Sequence, residues 1–256
     1  MRRREYFRAA IVLLAVATAP LSAWSGQSRV EIAWQAARLA PNDLYRQIIR
    51  HQVAYRDGLV APTALQGEAR TSANPNGSIT LDTVVAAETR RAVEALETHQ
   101  QFRDVVYQLG ILMHSVIDAN DPLMTTSGGG LDPRFSADFS AYMDSTSSRV
   151  PPLFYGVDTR LRKLADVPAF VGRAVDRSRR LYPYIGVEYE RIAGGRAIDD
   201  FDDRSTAFGV ASVAFSRAMT DAVVMLRFVW LEAGGADSLP REPLESRKLL
   251  KLSRRP

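Results

Sequence analysis

Apolar residues recur at helical spacing over most of this chain, and no stretch alternates with the period of two that marks a half-buried strand. Ser28-Arg29-Val30-Glu31, a serine with a glutamate three residues on, predicts the opening of a first helix that runs through Leu39. Pro41-Asn42 punctuates it. A second helix from about Asp43 is expected to stop at Gly58, a residue type favoured just past a helix C-terminus. Residues 59–79, with two Pro, two Gly and several small polar residues, read as a long loop. Helices are expected over 81–98 and 101–119, followed by a Gly-rich loop from Asn120 to Pro133. The second half predicts helices near 157–180, 184–193 and 204–233. In the last of these Phe208, Val213, Phe215, Met219, Val223, Leu226 and Trp230 are core candidates. With no internal repeat, the expectation is one all-α, multi-helix domain.

The most informative stretch is VVYQLGILMHSVIDANDPL, from Val105 to Leu123. Phe102, Val105, Val106, Leu109, Leu112, Met113, Val116 and Ile117 form a core-facing stripe, while Tyr107, Gly110, Ile111, His114 and Asp118 share the adjoining face. His114 and Asp118 stand four residues apart, so imidazole and carboxylate converge on one point. Burying both costs free energy unless they meet a metal, a counter-charge or each other. From the pair alone, a core-stabilising His–Asp contact and a functional site are both open.

The ends of the chain carry its charge. Arg2, Arg3, Arg4 and Arg8 precede an apolar run from Ala9 to Leu21 and the small residues Ser22 and Ala23, the pattern of a signal peptide over residues 1–23. The protein is therefore expected to be exported (periplasmic or secreted), or anchored at its N-terminus if uncleaved. Removing that segment lowers the formal charge from +4 to +1, and the basic tail 241–256 holds +4 of its own, so the body 24–240 is acidic. The high pI thus gives no nucleic-acid signal. The tail, with Lys248, Lys251, Arg254 and Arg255, offers peripheral contact with anionic lipid. There is no cysteine, which excludes thiol nucleophiles and thiolate metal sites. No G-x-S-x-G elbow, P-loop or G-x-G-x-x-G occurs. The acidic run Asp199, Asp200, Asp202 and Asp203 lacks the spacing of a calcium loop and reads as a solvated helix start. His51 and His99 lie on polar stretches, and Asn76-Gly77-Ser78 forms a glycosylation sequon.

Taken together, Trp24 at the expected cleavage point and the Leu109-Gly110…His114…Asp118 helix resemble the bacterial zinc-dependent phospholipases C and the related fungal single-strand nucleases. That resemblance implies an exported all-α fold and a three-zinc cluster, held in part by the amino group of a leading Trp and by an L-G-x-x-x-H-x-x-x-D helix. It carries Trp24, His114 and Asp118 over as metal ligands.

The departures are specific. The family's turn x-x-Q-P-x-H becomes Asp121-Pro122-Leu123-Met124, so a thioether stands in place of a histidine. Arg29 falls where the first His ligand belongs, Thr63 where a metal-binding Asp belongs, and Asp138 and Tyr142 align with a later His-x-x-x-Glu pair. Zinc ordinarily needs three or four N, O or S ligands. The expectation is a degenerate member without an intact cluster and with no cofactor: a non-catalytic binding or structural protein. In it Arg29 pairs with Asp118 in place of the lost cation, which leaves an anionic or phosphorylated ligand conceivable in the old cleft. The alternative is a metal-dependent phosphodiester hydrolase with a reduced zinc site at His114 and Asp118, with Trp24 and Asp138 as further ligands.

Overall fold

In the computed structural model the described residues are 24, 26–61, 80–125 and 133–237, and their regular elements are all helical. The signal segment 1–23, the sequon loop with Thr63, the Gly128-Gly129-Gly130 stretch and the basic tail lie outside them. Ten α-helices follow in order among the described residues: α1 Gly26–Ala37, α2 Asn42–Arg50, α3 Gln52–Val60, α4 Leu81–Glu97, α5 Phe102–Asp118, α6 Pro133–Thr146, α7 Val167–Arg179, α8 Tyr182–Ile192, α9 Ala197–Asp200 and α10 Thr206–Glu232.

The long apolar helix α10 organises the core. Ser205 caps it by accepting the Phe208 N–H at 3.1 Å. It packs against α1, α4, α5, α7 and α8. Length and composition would let α10 cross a membrane, but 78 % of its most apolar window is buried inside the fold, which makes it the core helix of this bundle. α5 lies beside it and also meets α1, α3 and α4.

The turn between α4 and α5 is short because it is tightly closed. The Gln100 N–H reaches the Ala95 carbonyl at 3.0 Å and the His99 N–H reaches Leu96 at 3.1 Å, the two bonds of a Schellman cap. His99 sits at φ 54 where glycine is usual. It is exposed, in keeping with its polar surroundings in sequence.

The first helix begins two residues before Ser28, and Ser28 lies inside it, buried, with its hydroxyl bonded to Asp144 rather than capping. The helix expected over 43–58 is two helices, because His51 leaves the helical region at φ −115, ψ 34. Residues 150–163 are not helical. Gly156 takes φ 96, and the extended segment is held to α10 by Leu153 N–H to Ser216 Oγ and Tyr155 N–H to Thr220 Oγ1, each 3.1 Å. Helices α6 and α9 were not foreseen. Phe102 and Val213 prove exposed, at 37 % and 38 %, while the rest of the predicted α5 stripe is buried.

Gly58 is no helix stop either. It lies within α3, and a Cβ there would stand 2.2 Å from the Tyr107 carbonyl oxygen of α5. Gly110 is its counterpart: a Cβ would fall 2.3 Å from the Tyr55 carbonyl oxygen and 2.9 Å from the Gly58 Cα. The two backbones therefore cross at a distance only paired glycines allow. Alanine gains up to ~1 kcal/mol of helix propensity over glycine, but here it meets backbone that cannot turn aside. We expect Gly110→Ala to cost a net ~1–3 kcal/mol, read as a fall of roughly 2–4 °C in Tm per kcal/mol for a chain of this size. A neutral or stabilised variant would show that the crossing is not this close.

Candidate functional site

Helix α5 carries His114 and Asp118 one turn apart, and α1 brings Arg29 against them. Asp118 is fully buried, and His114 and Arg29 are 3 % and 8 % exposed. Arg29 donates from Nη2 to Asp118 Oδ1 at 2.9 Å, while His114 Nε2 stands 3.4 Å from Asp118 Oδ2. Burial by itself would push this carboxyl up. The Arg29 guanidinium and the His114 contact outweigh it and hold the group well below its ordinary value, at about 2. Asp118 is thus an anion under all ordinary conditions.

A further carboxyl stands behind this pair. Glu88 on α4 is 4 % exposed, and its burial, reinforced by the charge of Asp118 and countered by the Ser115 hydroxyl and Arg91, pushes it up to about 7. The site therefore holds one carboxyl that stays charged and one poised to be neutral. Sequence reasoning missed Glu88, although a signal was present: it interrupts an apolar face running Leu81, Val84, Val85, Ala92 and Val93.

Trp24 is 1 % exposed, with its ring edge-on to Phe215 of α10 at 6.3 Å. Its backbone nitrogen donates to Asp121 Oδ2 at 3.3 Å. The other oxygen of Asp121 accepts the N–H groups of Leu123 at 2.8 Å and Met124 at 3.3 Å. The turn after α5 is thus built on an Asp side chain that satisfies its own backbone and ties down Trp24. Met124 is buried within that turn.

The residues expected from the later segment are occupied elsewhere. Asp138 Oδ2 accepts from the Tyr189 hydroxyl and from the Ala197 N–H, both at 2.7 Å, which fastens α6 to α8 and α9. Tyr142 is 1 % exposed and packs edge-on against Phe201 at 5.4 Å, in an aromatic cluster with Phe139. Neither joins His114 and Asp118.

The donor set can be tested for zinc directly. Both oxygens of Asp118 face nitrogen groups, one of them a permanent cation that would repel a second positive charge. Among the described residues no group of three His, Asp or Glu side chains is arranged to hold a metal ion. His114 Nδ1 and Arg29 Nε are buried without hydrogen-bond partners among the described residues, but one imidazole nitrogen beside a guanidinium is not a metal site. The described residues do not fit the cluster.

The raised carboxyl gives a pH prediction. Glu88 holds its proton in the folded chain up to about pH 7 but releases it near 4.5 when unfolded. Its contribution is therefore fully present below pH 4.5 and is lost as pH rises through 7. We expect Glu88→Gln to remove this slope, matching the parent at pH 4.5 and exceeding it above pH 7 by on the order of 3 kcal/mol. Urea unfolding across that range reads the difference, and parallel curves for the two chains would refute the assignment.

No family model matches this sequence, and no curated protein matches it. Among solved structures, the fold is similar to that of alpha-toxin from an avian strain of Clostridium perfringens, with a TM-score of 0.58 at 13 % identity over 86 % of this chain and 68 % of the toxin. Identity that low speaks to architecture alone. The chain has the all-α fold of the phospholipase C type.

Proposed function

We propose that this protein is an exported, non-catalytic member of the zinc-dependent phospholipase C and nuclease fold, in which a buried ion pair replaces the metal cluster and the chain serves as a binding or structural protein. The observation that carries this is the 2.9 Å bond from Arg29 to the fully buried Asp118. A zinc cluster in this fold joins helices by drawing ligands from several of them onto shared cations. The guanidinium of Arg29 does the same for α1 and α5, and Asp121 does it for Trp24. Export rests on the sequence pattern of residues 1–23.

An arginine in this position is a poor participant in hydrolysis. It cannot shed its proton to act as a base, and it does not lower the pKa of a bound water as zinc does. His114, the imidazole beside it, already faces Asp118.

The test is metal content and chelator resistance of the purified chain. After dialysis against trace zinc we expect well under one zinc per chain, and an unchanged Tm in excess chelator. About one zinc per chain, lost in His114→Ala, would overturn the proposal in favour of a metal-dependent phosphodiester hydrolase.

The pairing itself makes a separate prediction. Arg29→Ala strands a buried carboxylate and should cost roughly 3–5 kcal/mol. Replacing both partners, Arg29→Met with Asp118→Leu, should restore much of that loss, because well-packed apolar side chains substitute for a buried ion pair at little cost. Equal destabilisation by the single and double variants in chemical unfolding would rule out the pair as the pin.

A further inference from the structure

A second concentration of polar groups lies where α7 meets α10, and no residue of the Arg29–Asp118–His114 cluster lines it. There a cavity of about 170 Å³ opens between α7, α10 and the end of α5. Arg177, Arg180 and Arg217 converge on it, with Asn120 and Ser178. The one carboxylate bonded within this group is Asp221, which is 5 % exposed and takes Arg177 Nη2 at 2.7 Å and Asn120 Nδ2 at 3.0 Å. Three guanidiniums thus face one carboxylate, and the site carries excess positive charge.

The individual groups are arranged to receive an acceptor. Arg177 is anchored by Asp221, and its buried Nε has no partner among the described residues. Arg217 is held by stacking, its guanidinium carbon 3.8 Å from the centre of the Tyr155 ring. Tyr155 is itself fixed by its N–H bond to Thr220. Arg180 is exposed and makes no ion pair among the described residues. Ser178 is 3 % exposed, lines the cavity, and its hydroxyl has no partner among the described residues. A buried hydroxyl left unmatched costs free energy, and Ser178 shares this wall with Arg177, Arg180 and Arg217.

We propose that this cavity is a binding site for a phosphate group, taken by Arg180, Arg217 and Arg177 with the Ser178 hydroxyl as a further donor. Guanidinium forks match the tetrahedral oxygens of phosphate. The size fits a single small group, being below the roughly 300–1,000 Å³ of pockets that enclose drug-sized ligands. The remaining wall includes Leu181, Val213 and Ala214. That apolar side, with Val213 exposed, can receive the carbon portion of a phosphomonoester.

The experiment is calorimetric titration of the full chain with inorganic phosphate and, separately, with phenyl phosphate, at ionic strength held constant with chloride. We expect saturable binding of one ligand per chain, weakened about tenfold or more by Arg180→Glu and by Arg217→Gln. Arg180 is exposed, so its variant tests binding without threatening the fold. Arg103→Glu, the same change at an exposed arginine of α5 that makes no ion pair among the described residues, should leave affinity unaltered. Tighter binding of phenyl phosphate assigns the site to a phosphoryl group carried on an apolar molecule, and equal binding assigns it to free phosphate. Absence of saturable binding to either at millimolar concentration, or equal weakening by Arg103→Glu and Arg180→Glu, would overturn the proposal.

Discussion

A carboxylate buried as completely as Asp118 has to be neutralised from within the fold, and the surrounding structure follows from how that is done. Arg29 reaches it from α1 and His114 from one turn earlier on α5. Because the pair fixes α1 on α5, it also sets where Trp24 enters the core against Phe215, and where Asp121 can take up the Trp24 N–H. The negative charge that Asp118 keeps is one reason Glu88, on the neighbouring helix, resists ionising. One buried anion thus fixes the charge state of a second acid and the docking of the N-terminal helix.

The glycine crossing works in the same region by sterics. α5 must lie close to α3 on one side and present His114 and Asp118 toward α1 and α4 on another. Gly58 and Gly110 make the first possible, and Gly110 stands one turn before His114 on the same helix. Backbone contact of this kind leaves α5 little freedom to slide. The side chains it carries are therefore held to a narrow geometry, which a short, angle-dependent contact such as Arg29–Asp118 requires.

Much of this was legible in the chain. The α5 stripe, the convergence of His114 and Asp118, and the all-α class follow from spacing, because periodicity reports which face is buried. What spacing cannot report is the partner across that face. Gly58 looks like a helix stop and Gly110 like one more member of the His114–Asp118 face, yet each is explained by the other, and their meeting is a tertiary fact. Ser28 has the spacing of a helix cap but bonds Asp144, 116 positions away. Glu88 is visible as a charge on an apolar face, but the groups that act on it, Ser115 and Asp118, lie on the next helix, where spacing does not reach. Asp138 matched a ligand position by alignment, whereas its actual partners, Tyr189 and Ala197, lie on later helices.

The two polar clusters differ in a way that separates their roles. At Asp118, positive and negative groups are matched and sealed, and the carboxylate is held at about 2, so the cluster has no charge left to offer an incoming molecule. At Asp221, burial pushes the carboxyl up while Arg177, Asn120 and Arg217 pull it back, and guanidiniums remain in excess even when it is ionised. A matched, buried pair holds helices together, whereas an unmatched, half-open one awaits a counter-ion. Both draw on the end of α5, Asp118 in the first and Asn120 in the second, so a single helix end contributes to the matched pair and to the unmatched one.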